Sequence, residues 1–360
     1  MPEPLDVEEL RARVQRTLDL ERDTQQAVLA PLGTDMDHLV SSVFDLLRGG
    51  KRLRAAFFYW GYRAAGGEDS DALVRAASSM EVFQAAALLH DDVMDRSETR
   101  RGMPTAHRRL AQLHGERDWA GDGDRFGDAG AILAGDLCLN WTDEIYSTSG
   151  LPEEELRRGR RIFDTMRTQL MGGQFLDVLE AAGSWAGVPT CERVERALRV
   201  IAFKSAKYTV EHPLLIGATC AGADESALRH LSDYGLALGE AFQLRDDLLG
   251  VFGDPARTGK PAGDDLREGK RTVLIAYALD RATPAELEHF RRTFGRPDLD
   301  EGQVEVLREI CERTGAVDRT EDLIDARVRA AGRHLADADL SDLGRTMLSD
   351  LARISTARTS

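Results

Sequence analysis

Cysteine is scarce in this 360-residue chain, and the four present, Cys138, Cys191, Cys220 and Cys311, lie far apart with no CxxC pair. That spacing argues against a zinc site or a disulfide framework and fits a reducing cytoplasm. Positive charge is in deficit: 47 Lys and Arg stand against 62 acidic residues, a net charge of −15. Such a surface repels nucleic acid and anionic lipid, so any polyanionic ligand must be met by a local basic cluster. The N-terminal stretch MPEPLDVEELRARV is charged and has no apolar core for a signal peptide, and no integral membrane segment is expected. Fixed-period repeats and compositional breaks are lacking too, which favours one domain over residues 1–360.

With 42% hydrophobic residues the chain can bury a substantial core. Apolar residues recur at three- and four-residue spacing, as in Leu73, Ala76, Ala77, Met80, Phe83, Ala87 and Leu88, whereas alternating runs are few. The fold class expected is all-α. Breaks fall at Gly49-Gly50, Gly66-Gly67, Gly150 to Pro152, Gly187 to Pro189 and Gly253 to Gly263, and the stretch Gly115 to Gly130 reads as a long polar loop.

The strongest signal is MEVFQAAALLHDDVMDRSETRRG. Asp91 and Asp95 are one helical turn apart, so their carboxylates leave one face about 6 Å apart along the axis. Two like charges there repel unless a cation or a basic partner lies between them, and Mg²⁺ is held by one or two carboxylates plus phosphates and waters. An isolated DDxxD also fits a solvated acidic turn. The flanks argue for a site: AAALL before the acids belongs in an apolar interior, and Arg100, Arg101 and Gly102 after them offer fixed positive charge for phosphate. A second pair, Asp246 and Asp247, follows the apolar stretch LALGEAFQL, and its loop carries Lys260, Asp264, Asp265 and Lys270. Taken alone it also reads as a capped helix end before a charged loop. Two such clusters on separate helices imply a shared cavity in which ions neutralise a diphosphate leaving group. GGKRLR sets Lys51, Arg52 and Arg54 straight after a Gly-Gly turn, where backbone and side chains can both approach a phosphate.

Taken in order from Gly49 to Thr272, these segments resemble the trans-prenyltransferases, the polyprenyl synthetase or isoprenyl diphosphate synthase family. GGKRLR resembles GGKxxR, LLHDDVMDRSETRRG the first aspartate-rich motif, GGQFLDV the GQxxD segment and FKSAKYT the KTA segment. FQLRDDLLG with GKPAGDDLREGK resembles the second aspartate-rich motif and its lysine loop. The resemblance implies an isoprenoid synthase-type helical bundle around a deep central cavity, usually a homodimer, with three Mg²⁺ ions. It assigns Asp91, Asp95 and Asp246 to the ions, with Asp92, Asp247 and Asp265 supporting. Lys51, Arg54, Gln84 and Arg101 match the positions that hold isopentenyl diphosphate. Arg100, Lys204, Ser205, Gln243, Lys260 and Lys270 match those around the allylic diphosphate, whether dimethylallyl, geranyl or farnesyl. The implied reaction is head-to-tail condensation: the carbocation left by C–O cleavage is stabilised by the Lys204 carbonyl, the Ser205 hydroxyl and the Gln243 amide oxygen. No His or Glu base is required, so His90 reads as a packing residue or as one that supports a metal ligand.

Three positions depart from the family pattern: Ser205 stands for Thr, Gly250 for the third aspartate of the second motif, and Ala55 for Pro. Serine keeps the hydroxyl, whereas Gly250 removes an outer carboxylate. In family members that stop at fifteen carbons, bulky residues stand four or five positions before the first aspartate. Here those positions are Ala87 and Ala86, and Phe83 lies one turn deeper, which points to geranylgeranyl diphosphate. Farnesyl or longer products are the alternatives, and Trp141 is a second candidate for the pocket floor. A terpene cyclase would not need Lys51, Arg54 and Arg101, and a non-catalytic regulatory subunit would commonly have lost one aspartate motif.

Overall fold

The computed structural model describes residues 7–253 and 263–357. Helix dominates, as the spacing of apolar residues requires. The chain runs through α1 (Leu10–Leu29), α2 (Met36–Leu46), α3 (Leu53–Ala64), α4 (Asp71–Met94), α5 (Ala106–Glu116), α6 (Gly123–Ser147) and α7 (Glu153–Ala182). It continues through α8 (Thr190–Val200), a π-helical segment (Ile201–Glu211), α9 (His212–Cys220), α10 (Glu225–Phe252), α11 (Asp264–Glu268) and α12 (Val273–Arg281). The last elements are α13 (Pro284–Thr293), α14 (Glu301–Arg313), α15 (Ala316–Asp337) and α16 (Asp342–Thr356). Extended structure among the described residues is a two-residue ladder, β1 (Thr99–Arg100) against β2 (Met103–Pro104).

Two compact units form. The first takes the chain through Arg161 with Pro213–Asp224 and Leu340–Asp350. Its α3 is buried along nearly its whole length, and α4 packs antiparallel to α6: Gly135 lies against the His90 ring and Gly150 against Ala72. Ser70 caps α4 by accepting from the Leu73 N–H, a contact worth about 1 kcal/mol. By length and composition α4 could cross a bilayer, contrary to expectation, but 78% of its most apolar stretch is buried against protein. It is the core helix of this unit.

The expected loop from Gly115 to Gly130 is largely helical instead. Asp122 accepts from the Asp124 and Arg125 N–H groups and starts α6, so Gly127 and Gly130 fall inside that helix. Their missing side chains let α6 approach α5, since a Cβ on Gly127 would come within 2.1 Å of the His107 carbonyl. These glycines serve close packing rather than a turn.

The second unit holds Ile162–His212 and Glu225–Asp339. Its core gathers Leu244, Leu248 and Val251 of α10, Leu266, Val273 and Leu274, and Val304, Leu307 and Ile310 of α14. Arg245 pairs with Glu321 at 2.5 Å and Arg327 with Glu240 at 2.6 Å, fixing α10 to α15.

Candidate active site

In the first unit the acidic residues close α4. Asp95 is the C-cap, and its N–H donates to the Asp91 carbonyl at 2.8 Å, so the two side chains stand one turn apart. Two residues with positive φ, Arg101 (53°) and Gly102 (74°), fold the chain back between β1 and β2. Arg100 donates through Nε to Asp92 at 2.7 Å, and its Nη2 lies 2.5 Å from Asp92 and 3.6 Å from Asp91. Burial opposes the charge on Arg100, but Asp92, then Asp91 and Asp95, outweigh it and raise its pKa. The repulsion expected among these acids is thus met by an internal cation.

Arg101 serves the other cluster. Its Nη1 donates to the Leu46 carbonyl at 3.0 Å, and its guanidinium lies beside Gly50 of the Gly49–Arg54 turn. Burial lowers the Arg101 pKa, and the neighbouring positive charges of Arg52, Arg100 and Arg54 lower it further, against the opposing charge of Glu81. Lys51 is exposed on the turn, Arg54 is buried at the start of α3, and Gln84 is half-buried on α4. Arg52 turns inward instead of towards solvent, which its place in GGKRLR did not signal.

Phe83, Ala86 and Ala87 are all buried on α4. His90, one turn beyond Ala86 and Ala87, faces the Ile132 carbonyl at 3.1 Å and packs on Gly135, so this stripe turns towards α6 and His90 is a packing residue. Because the helices run antiparallel, seven residues back from His90 matches seven forward from Gly135. Phe83 and Trp141 therefore stand at about the same depth.

In the second unit the π-helical segment carries Lys204 and Ser205. An i→i+5 turn widens the helix at this point, a feature frequent at functional sites. Gly173 of α7 and Gly239 of α10 let neighbouring backbones reach it: a Cβ on Gly173 would lie 2.5 Å from the Lys204 nitrogen. Lys204 pairs with Asp177 of the GGQFLDV stretch at 2.6 Å. The Ser205 hydroxyl donates to the Gln243 amide oxygen, and the Gln243 amide nitrogen donates to Asp247 at 2.8 Å. The two bonds together orient the amide, with its oxygen towards Ser205 and its NH₂ towards Asp247. Burial, then the charge of Asp265, pushes the Asp247 carboxyl well above the usual carboxylate range. Asp246, the neighbouring acid, is exposed. Lys270 lies 3.3 Å from Asp265 and 2.6 Å from Glu268. Lys260 lies outside the described residues.

Gly250 has a specific surrounding. A Cβ there would sit 1.9 Å from an oxygen of Asp265 and 2.4 Å from its Cγ. The Asp265 carboxylate thus fills the space beside the helix that a side chain at 250 would need. Sequence reasoning gave no role to Asp177, which pairs with Lys204, or to Glu81, which meets Arg52 at 3.5 Å.

The donors in both clusters are carboxylate oxygens, suited to a hard cation. Among the described residues no three His, Cys, Asp or Glu side chains gather closely enough to hold an ion by themselves. That donor set fits Mg²⁺ held partly by the phosphates of a substrate.

The polyprenyl synthetase family model matches residues 37–311. The chain belongs to the polyprenyl synthetase family. It is 33% identical over 290 residues to the geranylfarnesyl diphosphate synthase of Aeropyrum pernix, covering 79% of this chain and 83% of that one. It is also 33% identical over 290 residues to the geranylgeranyl diphosphate synthase of Mycobacterium tuberculosis, covering 80% of this chain and 75% of that one. Among solved structures, the geranylgeranyl pyrophosphate synthase of Corynebacterium glutamicum, complexed with isoprenyl diphosphate and magnesium, superposes with a TM-score of 0.92. It is 41% identical, over 98% of this chain and 99% of that one. This polyprenyl synthetase is therefore an all-α prenyltransferase.

Proposed function

We propose that the enzyme condenses isopentenyl diphosphate head to tail with an allylic diphosphate, giving geranylgeranyl diphosphate. The observation that supports this reading most directly is the division of labour in the β1–β2 hairpin. Arg100 pairs with the acids of the first aspartate motif, and the adjacent Arg101 joins the basic turn. An ion-binding cluster and a separate anion-binding cluster meet at one dipeptide, as a reaction between two diphosphates needs and a terpene cyclase does not. Incubation with Mg²⁺, labelled isopentenyl diphosphate and each allylic starter, followed by chromatography, tests it. Elongated prenyl diphosphates are expected; a cyclic hydrocarbon, or no product with any starter, refutes the reading.

In this reading Asp91, Asp95 and Asp246 hold Mg²⁺, three ions in all, with Asp92, Asp247 and Asp265 in support. Bound there, Mg²⁺ supplies neutralisation of the diphosphate leaving group. Arg100, Lys260 and Lys270 add positive charge at the allylic diphosphate. The Lys204 carbonyl, the Ser205 hydroxyl and the Gln243 amide oxygen face the developing allylic cation as dipoles too weakly nucleophilic to trap it. Lys51, Arg54, Gln84 and Arg101 hold isopentenyl diphosphate. Lys51→Ala and Arg54→Ala should each raise its KM by about tenfold or more, the loss of one charge-assisted hydrogen bond, and leave the allylic KM nearly unchanged. Steady-state kinetics with each substrate varied in turn decides this, and the reverse pattern would exchange the two sites.

The chain-length reading rests on the buried Phe83, Ala86 and Ala87 stripe, with Trp141 at the level of Phe83. The product tail passes the two alanines and stops at Phe83, since one turn of about 5.4 Å is comparable to one extended isoprene unit. Ala87→Phe should shorten the main product by about one unit, and Phe83→Ala should lengthen it. Chromatography showing the same product from both variants would remove the stripe from the pocket.

A homodimer is supported by Met171, Phe175, Val178 and Leu179, an exposed apolar stripe at helical spacing on α7. A cytoplasmic setting is supported by four cysteines that are all free thiols.

A further inference from the structure

The turn between α2 and α3 is held from beneath. Arg52 sits in the left-handed region with φ at 55°, following Gly49 at 71° and Gly50 at 91°. A non-glycine residue keeps such a conformation only where its surroundings over-determine it. Those surroundings are on α1, α2 and α4. The Arg52 guanidinium, 4% exposed, donates to Gln15 at 2.5 Å and to the Leu47 carbonyl, and lies 3.5 Å from Glu81. Glu81, 3% exposed, accepts from the Ala55 N–H at 3.0 Å through its other oxygen. That bond matters for α3, whose N-cap residue makes no side-chain capping bond of its own. One buried carboxylate from α4 thus caps α3 and fastens the residue that sets the direction of the turn.

The same carboxylate is a counter-charge. Arg52, Arg54, Arg100 and Arg101 are close enough for the other three to repel Arg101, and Glu81 opposes that repulsion. Gln84 follows Glu81 by three residues on α4, on the same side of the helix. The residue that fastens the turn and one that faces the same ligand are therefore carried on one rigid element.

We propose that Glu81 is a positioning residue for isopentenyl diphosphate. By binding Arg52 and the Ala55 N–H it sets the Gly49–Arg54 turn in the shape that presents Lys51 and Arg54 to the diphosphate. Arg52 itself is an anchor and not a ligand. This rests on the reading that Lys51, Arg54, Gln84 and Arg101 bind that substrate.

The test is Glu81→Gln, which keeps the size of the side chain and an oxygen for the Ala55 N–H but loses the charge facing Arg52. The KM for isopentenyl diphosphate should rise about tenfold, as for loss of a charge-assisted contact, with kcat and the allylic KM within about threefold of wild type. A second variant guards against misfolding: Arg52→Gln with Glu81→Gln removes both buried charges together and keeps a side-chain oxygen for the Ala55 N–H, so neither an unpaired charge nor an uncapped α3 remains. It should melt near the wild-type Tm and still show the raised KM. Equal losses in kcat and both KM values, in step with a fall in Tm, would make Glu81 merely structural and overturn the proposal. So would an unchanged KM in Glu81→Gln while Arg54→Ala raises it. If Arg54→Ala leaves that KM unchanged, the assignment of the substrate to this turn fails first, and the role of Glu81 falls with it.

Discussion

Asp91→Ala is expected to lower kcat/KM by about 10²–10³ or more, the scale seen when one preorganised group facing transition-state charge is removed, while Tm and helix content stay near wild type. The two halves of that expectation have separate grounds. Asp91 is the weaker partner of Arg100, at 3.6 Å against 2.5 Å for Asp92, so its removal leaves the guanidinium paired. It also relieves repulsion among three acids within one and a half turns of helix. Folding therefore loses little, and the chemistry loses a proposed ligand to the ion that neutralises the leaving diphosphate. Asp246→Ala should behave alike, since Asp246 is exposed and its contact with the Gln243 amide is long, at 3.4 Å. Mg²⁺-dependent turnover and thermal melts followed by circular dichroism check both variants. Activity within about threefold of wild type, far less than one factor of ten, would remove these residues from the metal assignment.

Much of this architecture is legible in the sequence because it depends on local spacing. Asp91 and Asp95 are read as one face because four residues make one turn, and the structure keeps them so. That Phe83 lies one turn deeper than Ala87 is legible for the same reason. What escapes is decided by partners distant in sequence. Glu81 lies in a run that reads as buried helix, and its meeting with Arg52 and Ala55 depends on how α4 crosses α3. Gly127 and Gly130 read as breaks because glycine weakens a helix, yet contact with α5 rewards the missing side chains. The π-helical turn around Lys204 has no pattern of its own, since i→i+4 and i→i+5 bonding draw on the same residues. Asp177 belongs to the GGQFLDV motif, but only the fold brings its carboxylate to Lys204.

Gly250 shows the same limit most sharply, and it carries the second large expectation. From the motif alone, restoring an aspartate at 250 should strengthen the second acidic cluster. The structure predicts the reverse. A Cβ at 250 would lie 1.9 Å from one oxygen of Asp265 and 2.4 Å from its Cγ. Rotating a terminal oxygen is not enough; the whole side chain must leave. Asp265 is buried, and Lys270 stands 3.3 Å from it. Asp247 is buried beside it and already holds its proton more tightly than an ordinary carboxyl, through burial first and Asp265 second. A further carboxylate here adds bulk and like charge together. Gly250→Asp should therefore destabilise the protein by about 1–3 kcal/mol, the usual range for overpacking. Turnover should fall about tenfold or more as Asp247 loses its setting and, with it, the Gln243 amide that it orients. Gly250→Ala should show the smaller steric part alone. The double variant Gly250→Asp with Asp265→Gly moves one carboxylate from α11 to α10 across the same space, and should regain most of the lost stability. Urea denaturation of all three, without metal or substrate, reads the packing directly, and kinetics then read its consequence. A single Gly250→Asp variant as stable and active as wild type would mean that Asp265 does not hold that space in solution.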